Sequence, residues 1–545
     1  MNNTRKRCRK GEPGCWKAGY IKNNMANLFQ RLEEYQRSDV YPFHMPGHKR
    51  QFRLGGYDEG GQRQQGTALP YEIDITEIEG FDNLTSPKEG EILWQMCEEA
   101  KELYGTAAVF PLINGSTAGL MAAISAVAAP GDEIIITRNC HKAVYRTAEL
   151  LGLEVTYIYP EYCGDSGIVS GINVEKLEKL LEPHRNAKCI VVTSPTYEGI
   201  ILDVHQISEK AHAYKIPLIV DEAHGAHLPF LSNELMNIDK NVLYSSNIKR
   251  DRGGYSALYQ GADIVVQSLH KTLPALTQTA VLHVTKGAKE RAGISIKRVE
   301  SYVHLFQSTS PSYPLLASID ACFSACTRMI EEKIFDRYLI KLNAERKKYQ
   351  KLKHLRLLDK EMAGEYGYDI GKLVFLTEGT NITGLELMCR LREEYHLELE
   401  MGAGNYAIAM TSVCDSDEGW ERLRRAIFAI DETLVSKVDC CKSERKEGEA
   451  PLAVMTIREA REKRMVMTSI KEIKNQLTKT MSDSLSQPKL PPLYISADYI
   501  MCYPPGVPFL VPGESINMTV ITKIEEAIRD GQEVLGVEGG RIAVL

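Results

Sequence analysis

The sequence predicts an α/β fold built on a buried, mainly parallel sheet, and three observations carry that expectation. From Glu91 to about Thr285, short and continuously apolar runs alternate with helical stretches, as strands covered on both faces by crossover helices do. Residues able to carry chemistry sit at the C-terminal ends of those runs, where such sheets bind ligands. Hydrophobic content of 43% and charged content of 25% over 545 residues are ordinary for a soluble globular protein of three or so domains.

In chain order, Arg5, Lys6, Arg7, Arg9 and Lys10 form a basic run with no apolar segment behind it. We read 1–40 as a partly disordered extension rather than a nucleic-acid arm. Met25 opens an ordinary amphipathic segment and is a candidate natural start, which would leave residues 1–24 out of the native protein. His44-Met45-Pro46-Gly47-His48-Lys49 reads as a turn, and Glu72, Asp74, Glu77, Glu79 and Asp82 as an acidic series facing water. A helix is expected over 91–104. Asn114-Gly115-Ser116-Thr117 then opens an Ala-rich helix to about 129, with Gly115 permitting close approach of a ligand and two hydroxyls at the helix N-terminus. That is an anion cup or an ordinary cap. Strands are expected at Glu133–Thr137, Glu154–Tyr159, Cys189–Thr193, Leu218–Asp221, Asp263–Gln267 and Ala280–Val284. Residues 321–350 read as one helix, followed by a smaller α/β unit to 438, a charged linker over 439–450 and a C-terminal domain over 451–545.

Two strand ends define the chemistry. Asp263–Gln267 runs into Ser268-Leu269-His270-Lys271, and a lysine buried there loses solvation and becomes a nucleophilic amine. Leu218–Asp221 ends on an acid in Asp221-Glu222-Ala223-His224. An amine for an aldehyde, hydroxyl and imidazole donors for a phosphate, and an acid for a pyridine nitrogen are what pyridoxal 5′-phosphate requires. His141, after the Glu133–Thr137 strand, could stack on a cofactor ring, and Thr196 could approach its phenolic oxygen.

The motifs HMPGHK, NGSTAGL, NCHKA, SPTYEG, DEAHGAH, SLHKTLPALTQTA and STSPSYPLLASID, in this order, resemble the Orn/Lys/Arg decarboxylase family. The resemblance is close over about 41–320 and looser at Pro504-Pro505-Gly506 and Pro512-Gly513-Glu514. It implies the aspartate-aminotransferase fold (fold type I) for a 41–320 large domain, pyridoxal 5′-phosphate as cofactor, and decarboxylation of arginine, lysine or ornithine, as in polyamine biosynthesis. By resemblance, Lys271 is the Schiff-base lysine, Asp221 the pyridinium partner, His141 the stacking ring, and Ser116, Thr117, Ser268 and His270 the phosphate ligands. Thr196, Ala223 and His224 join the cofactor set. Lys271 or His270 would return a proton after CO2 leaves. Thr309, in Ser308-Thr309-Ser310-Pro311, would reach a neighbouring subunit's phosphate, implying a homodimer or higher oligomer with shared sites. Glu514 is the implied acid for the substrate's distal cation, with Glu77 and Asp82 as alternatives. Absent from the chain is the amino-terminal wing domain of the family's large members. A polar insert over about 237–254 also departs from the pattern.

Transamination is the alternative reading, but no arginine can be assigned as its carboxylate clamp; a regulatory cofactor-binding protein is a third. A net charge of −6 excludes a general nucleic-acid binder, and no apolar run has membrane-spanning length. Thirteen scattered cysteines without metal-site spacing fit the reducing cytoplasm.

Overall fold

The computed structural model of the chain describes residues 87–163, 167–236, 251–364, 366–436, 449–483, 493–503 and 506–545, with positions 39, 41–44, 47, 49, 74, 75, 83 and 84. The N-terminal extension apart from Asp39, Glu77, Asp82, Pro504, Pro505, residues 237–250 of the insert, residues 437 and 438, and 439–448 of the linker lie outside these.

A seven-stranded sheet organises the large unit. Helix α1 (Ile92–Tyr104) leads into β1 (Ala108–Leu112) and α2 (Gly115–Val127). Then come β2 (Glu133–Thr137), α3 (Lys142–Leu151), β3 (Glu154–Ile158) and β4 (Ile190–Thr193). After them stand β5 (Leu218–Asp221), β6 (Ile264–Gln267) and β7 (Ala280–Val284). The strand order is β1-β7-β6-β5-β4-β2-β3. Only β7 runs against its neighbours, because a single helical turn, Leu269–Thr272, joins it to β6 and no crossover helix intervenes. Both sheet faces are buried: Ile134 and Ile136 of β2 pack on one side, Ile135 on the other. That explains strands that are apolar throughout instead of alternating.

The sequence reading missed β1. Its Pro111 argues against a central strand, and β1 is indeed an edge, pairing only with β7, where a missing N–H is tolerated.

The helix expected over 321–350 is two helices, α4 (Tyr313–Glu331) and α5 (Ile334–Tyr349). Lys333 between them takes left-handed backbone, φ 56°. The break redirects the chain so that Phe335, Leu339 and Leu342 return to the same core as Ile319 and Phe323.

Beyond α5 an antiparallel four-stranded sheet contains β8 (Lys372–Leu376) and β9 (Tyr406–Met410). Tyr41–Phe43 pairs with Leu397–Leu399 of this smaller unit. Gly367–Tyr368 pairs with Ile200–Ile201 of the large one, and that contact brings the start of β8 up to the sheet's carboxyl end. The last segment has its own apolar cluster, with Ile473, Leu510, Ile521 and Ile542 buried in it. Arg252, at the end of the insert, pairs with Asp336 of α5 at 2.7 Å.

The described cysteines are all free, and Cys322 and Cys326 are buried in α4 as core thiols. No group of metal-ligating side chains occurs among the described residues. No described helix is long and apolar enough to cross a membrane.

Candidate active site

Strands β5 and β6 lie side by side, with Asp221 opposite Val266, so the chain leaves both at one edge. Asp221 is buried, and its Oδ1 accepts the Ala223 N–H at 3.1 Å. Burial raises the pKa of this carboxyl, with the Lys271 charge and that N–H opposing. Lys271 stands on the helical turn after β6, its Nζ 2.9 Å from His224 Nε2. Burial lowers the lysine's pKa, while Asp221 and Glu400 act to raise it. The two sequence-assigned groups therefore sense each other's charge, and each is pushed toward its neutral form.

His141 caps α3, its Nδ1 accepting the Ala143 N–H at 3.2 Å. Burial, then Lys271 and Lys142, lower its pKa to about 4, so at neutral pH it is an uncharged flat ring. His270 Nδ1 lies 2.9 Å from the Thr279 carbonyl oxygen. A carbonyl only accepts, so Nδ1 carries the proton.

Ser116 and Ser268 hydroxyls meet at 2.9 Å, and Thr117 is exposed at the start of α2. Asn114 does not cap that helix with its side chain; its Oδ1 accepts from Ser308 N at 3.4 Å. The first-turn N–H groups and two hydroxyls thus form a donor set suited to a phosphate. Thr309 is exposed beside Ser308. Thr196 is buried, and its Oγ1 accepts from Ile200 N at 3.1 Å, closing the SPTYEG turn.

The HMPGHK turn is more than a connecting loop. Gly47 N donates to the His270 carbonyl at 2.6 Å, and a Cβ at Gly47 would stand 2.7 Å from the Thr272 carbonyl carbon. Only glycine allows that approach. Ser412 Oγ donates to the Gly47 carbonyl at 2.5 Å, and buried Lys49 donates to the Met410 carbonyl at 2.6 Å. The turn therefore clamps the Lys271 segment to the smaller unit.

Glu514 stands at the seam between the last segment and the large unit. Its Oε2 pairs with Arg138 at 2.9 Å and accepts the Val511 N–H at 2.9 Å. Arg138 also donates to the Pro508 and Phe509 carbonyls. Burial raises the Glu514 pKa against the Arg138 charge. Glu514 does not cap a helix: the next one begins at Met518 and is capped by Asn517. Replacing Arg138 by Met should destabilise the protein by about 3 kcal/mol or more, because one buried charge is left alone. A melting temperature equal to wild type would show that the pair contributes nothing.

Sequence reasoning passed over Lys372 and Glu400. Lys372, at the head of the otherwise apolar β8, is 1% exposed with its Nζ 2.9 Å from His224 Nδ1. Glu400 accepts from Tyr197 OH at 2.5 Å, and its charge acts on Lys49, Lys271 and Lys372 alike. The one local signal was a lysine opening a strand, KLVFL, with no other polar residue.

The family model for the major domain of Orn/Lys/Arg decarboxylases matches residues 26–365. An arginine decarboxylase of Bacillus subtilis is 29% identical over 524 residues, covering 95% of this chain and 96% of that protein. Another, of Bacillus anthracis, is 30% identical over 521 residues and covers 94% of each. The lysine decarboxylase of Francisella novicida superposes with a TM-score of 0.64 at 17% identity, over 85% of this chain and 72% of that one. Its likeness extends to the fold alone. With the family's major domain matched over more than half of this chain, the chain belongs to the Orn/Lys/Arg decarboxylase family, amino-acid decarboxylases with the aspartate-aminotransferase-like α/β fold.

Proposed function

We propose that this chain removes the α-carboxyl group of a basic amino acid (arginine, lysine or ornithine), giving the amine and CO2, with pyridoxal 5′-phosphate as cofactor. The observation that carries the reading is the convergence of the half-buried Lys271 amine and the buried Asp221 carboxyl at adjacent strand ends, beside the Ser116 and Ser268 hydroxyls. Relatives of matching length that carry the name arginine decarboxylase make arginine the first substrate to test.

The residues present fit the cofactor. Ser116, Thr117, Ser268 and the α2 N–H groups would hold its phosphate, with His270 on the same turn as Lys271. Asp221, a buried acid with one backbone donor, would gain a cationic partner in the ring nitrogen. Neutral His141 would cover the ring face, and Thr196, Ala223 and His224 would flank it. When bound, pyridoxal phosphate supplies an aldehyde for amines and an electron sink for the pair left by CO2.

The chain's own groups do the rest. Lys271 would hold the cofactor and, with His270, would return a proton to the carbon that lost its carboxyl. Over His141 lies the turn at Gly506, whose carbonyl accepts Lys142 N at 3.3 Å, while Lys142 Nζ stands 4.8 Å from the Tyr503 ring. Exclusion of water at this site would favour loss of a charged carboxylate. For the distal cation the proposal keeps Glu514, whose Oε1 is buried without a hydrogen-bond partner among the described residues. Such an oxygen is costly until a guanidinium or ammonium meets it. Glu514→Gln should then lose about 2 kcal/mol of transition-state stabilisation toward the basic substrate. Unchanged kcat/KM with a lower melting temperature would leave Glu514 only its pairing with Arg138.

The direct test is CO2 release from arginine, lysine and ornithine in parallel, with arginine expected to give the highest kcat/KM. Release from none of the three would overturn the reading. The same proposal includes a cytoplasmic homodimer or larger oligomer, motivated by the exposed Ser308–Ser310 segment beside Asn114. A fully active species sedimenting as a monomer would remove that part.

A further inference from the structure

We infer that Lys372 is a positioning residue: acting through His224, it keeps the Lys271 amine unprotonated and oriented. The inference rests on the proposed role of Lys271 as the nucleophile.

Both ring nitrogens of one buried histidine are engaged by lysines. Lys271 Nζ is 2.9 Å from His224 Nε2, and Lys372 Nζ is 2.9 Å from His224 Nδ1. Burial, then Lys271 and Lys372, push the His224 pKa well below its ordinary value, so the ring is neutral at physiological pH. A neutral imidazole has one N–H and one lone pair. One lysine can donate to the lone pair, but the other must accept the ring N–H, which only an unprotonated amine can do. With both contacts made, the three groups hold at most one ammonium.

The surrounding charges choose its place. Burial lowers the Lys372 pKa to about 8, with Asp369 and Glu400 opposing that shift and Lys271 and Lys49 adding to it, so the amine is still mostly protonated at neutral pH. Burial raises the Asp369 pKa, but His227, which it meets at 3.2 Å, Lys372 and the Gly371 N–H together outweigh that and hold it below the ordinary carboxyl range. It is therefore an anion. Asp221 and Glu400 face Lys271, but Asp221 is raised toward its neutral form by burial. His141 and His270 also face His224, and both oppose a charge on its ring. The fixed anion thus belongs to the Lys372 side. Lys372 carries the ammonium and donates to Nδ1; Nε2–H then donates to the Lys271 lone pair. The arrangement fixes the direction of that lone pair as well as its existence, and it ends when the amine is used.

The fold makes room for this contact. Gly199 has φ +103°, and a Cβ there would stand 2.8 Å from Lys372 Cγ. Asp369 N donates to the Gly199 carbonyl at 2.8 Å, so the SPTYEG turn is shaped around the lysine stem. The Tyr197 ring packs 4.8 Å from the His224 ring and holds it from the other side.

Lys372→Met removes the ammonium and frees His224 to carry its proton on Nδ1, leaving Nε2 to accept from Lys271. Both changes favour protonated Lys271. The test is reductive methylation of the full-length chain, cleared of cofactor, by formaldehyde and cyanoborohydride across a pH series. Peptide mass spectrometry then gives the pH midpoint at which Lys271 reacts. The wild-type midpoint should lie below that of exposed lysines, and Lys372→Met should raise it by about one pH unit or more. His224→Phe should raise it likewise, and decides the matter if Lys372→Met does not fold. A folded variant of either kind with the wild-type midpoint overturns the inference, because a packing role alone would not move the titration of Lys271. Borohydride trapping of cofactor on a lysine other than Lys271 would overturn the cofactor reading instead, and leaves the midpoint shift as measured.

Discussion

Lys271→Ala is expected to abolish turnover together with the visible absorption of bound cofactor, while the protein still folds. The side chain sits on a single helical turn whose buried anchors are Leu269 and Thr272, so removing it leaves the packing of that turn in place. What disappears is the amine and its proton. Loss on the order of 10⁴-fold or more follows if the covalent attachment and the proton transfer both depend on it. Absorbance, borohydride trapping and CO2 release read the three consequences separately. Cofactor trapped in the variant at wild-type yield would mean that another lysine carries it.

Asp221→Asn should separate binding from chemistry. The amide can still accept the Ala223 N–H that Asp221 accepts at 3.1 Å, so the β5 terminus keeps its geometry. It cannot hold a proton at a ring nitrogen, and turnover should fall by roughly 10²–10⁴-fold with cofactor retained.

The same substitution has a consequence for stability. Burial raises the folded-state pKa of Asp221, so the folded chain binds that proton more tightly than the unfolded one. The resulting penalty is absent below the unfolded value. It grows as pH rises through that value and is complete above the folded one. Cofactor-free Asp221→Asn should therefore melt no lower than cofactor-free wild type at neutral pH. A marked drop would show that the charged carboxylate stabilises the empty site, contrary to the direction of its shift.

The contrast between these positions and those at Lys372 and Glu514 marks what could be read in the sequence. Lys271 and Asp221 follow their strands within a few residues, and strands buried on both faces announce themselves as unbroken apolar runs, as Leu218–Asp221 and Ile264–Gln267 do. The direction of those strands then places both residues at one edge without further information. The helix start at Gly115-Ser116-Thr117 was legible for a related reason: a glycine before two hydroxyls is a local pattern with a local cause. Family membership was legible because several such patterns occur in one order.

Tertiary structure decided everything that depends on contacts between distant segments. Whether Pro111 lies in a strand depended on its being at a sheet edge. The division of α4 from α5 depended on which face of the second helix meets the core, and helical periodicity alone does not report a reversal at one left-handed residue. Glu514 reads as a free acid in Val511-Pro512-Gly513-Glu514 until Arg138, far away in sequence, is found against it. Lys372 reads as an ordinary strand opener until the pairing of Tyr368 with Ile200 and the bare backbone of Gly199 carry its amine to His224. Local sequence sets where a strand runs and what stands at its end. Which charges then meet across the site is set by loop closure and packing between segments, whose energies come from partners that no local pattern names.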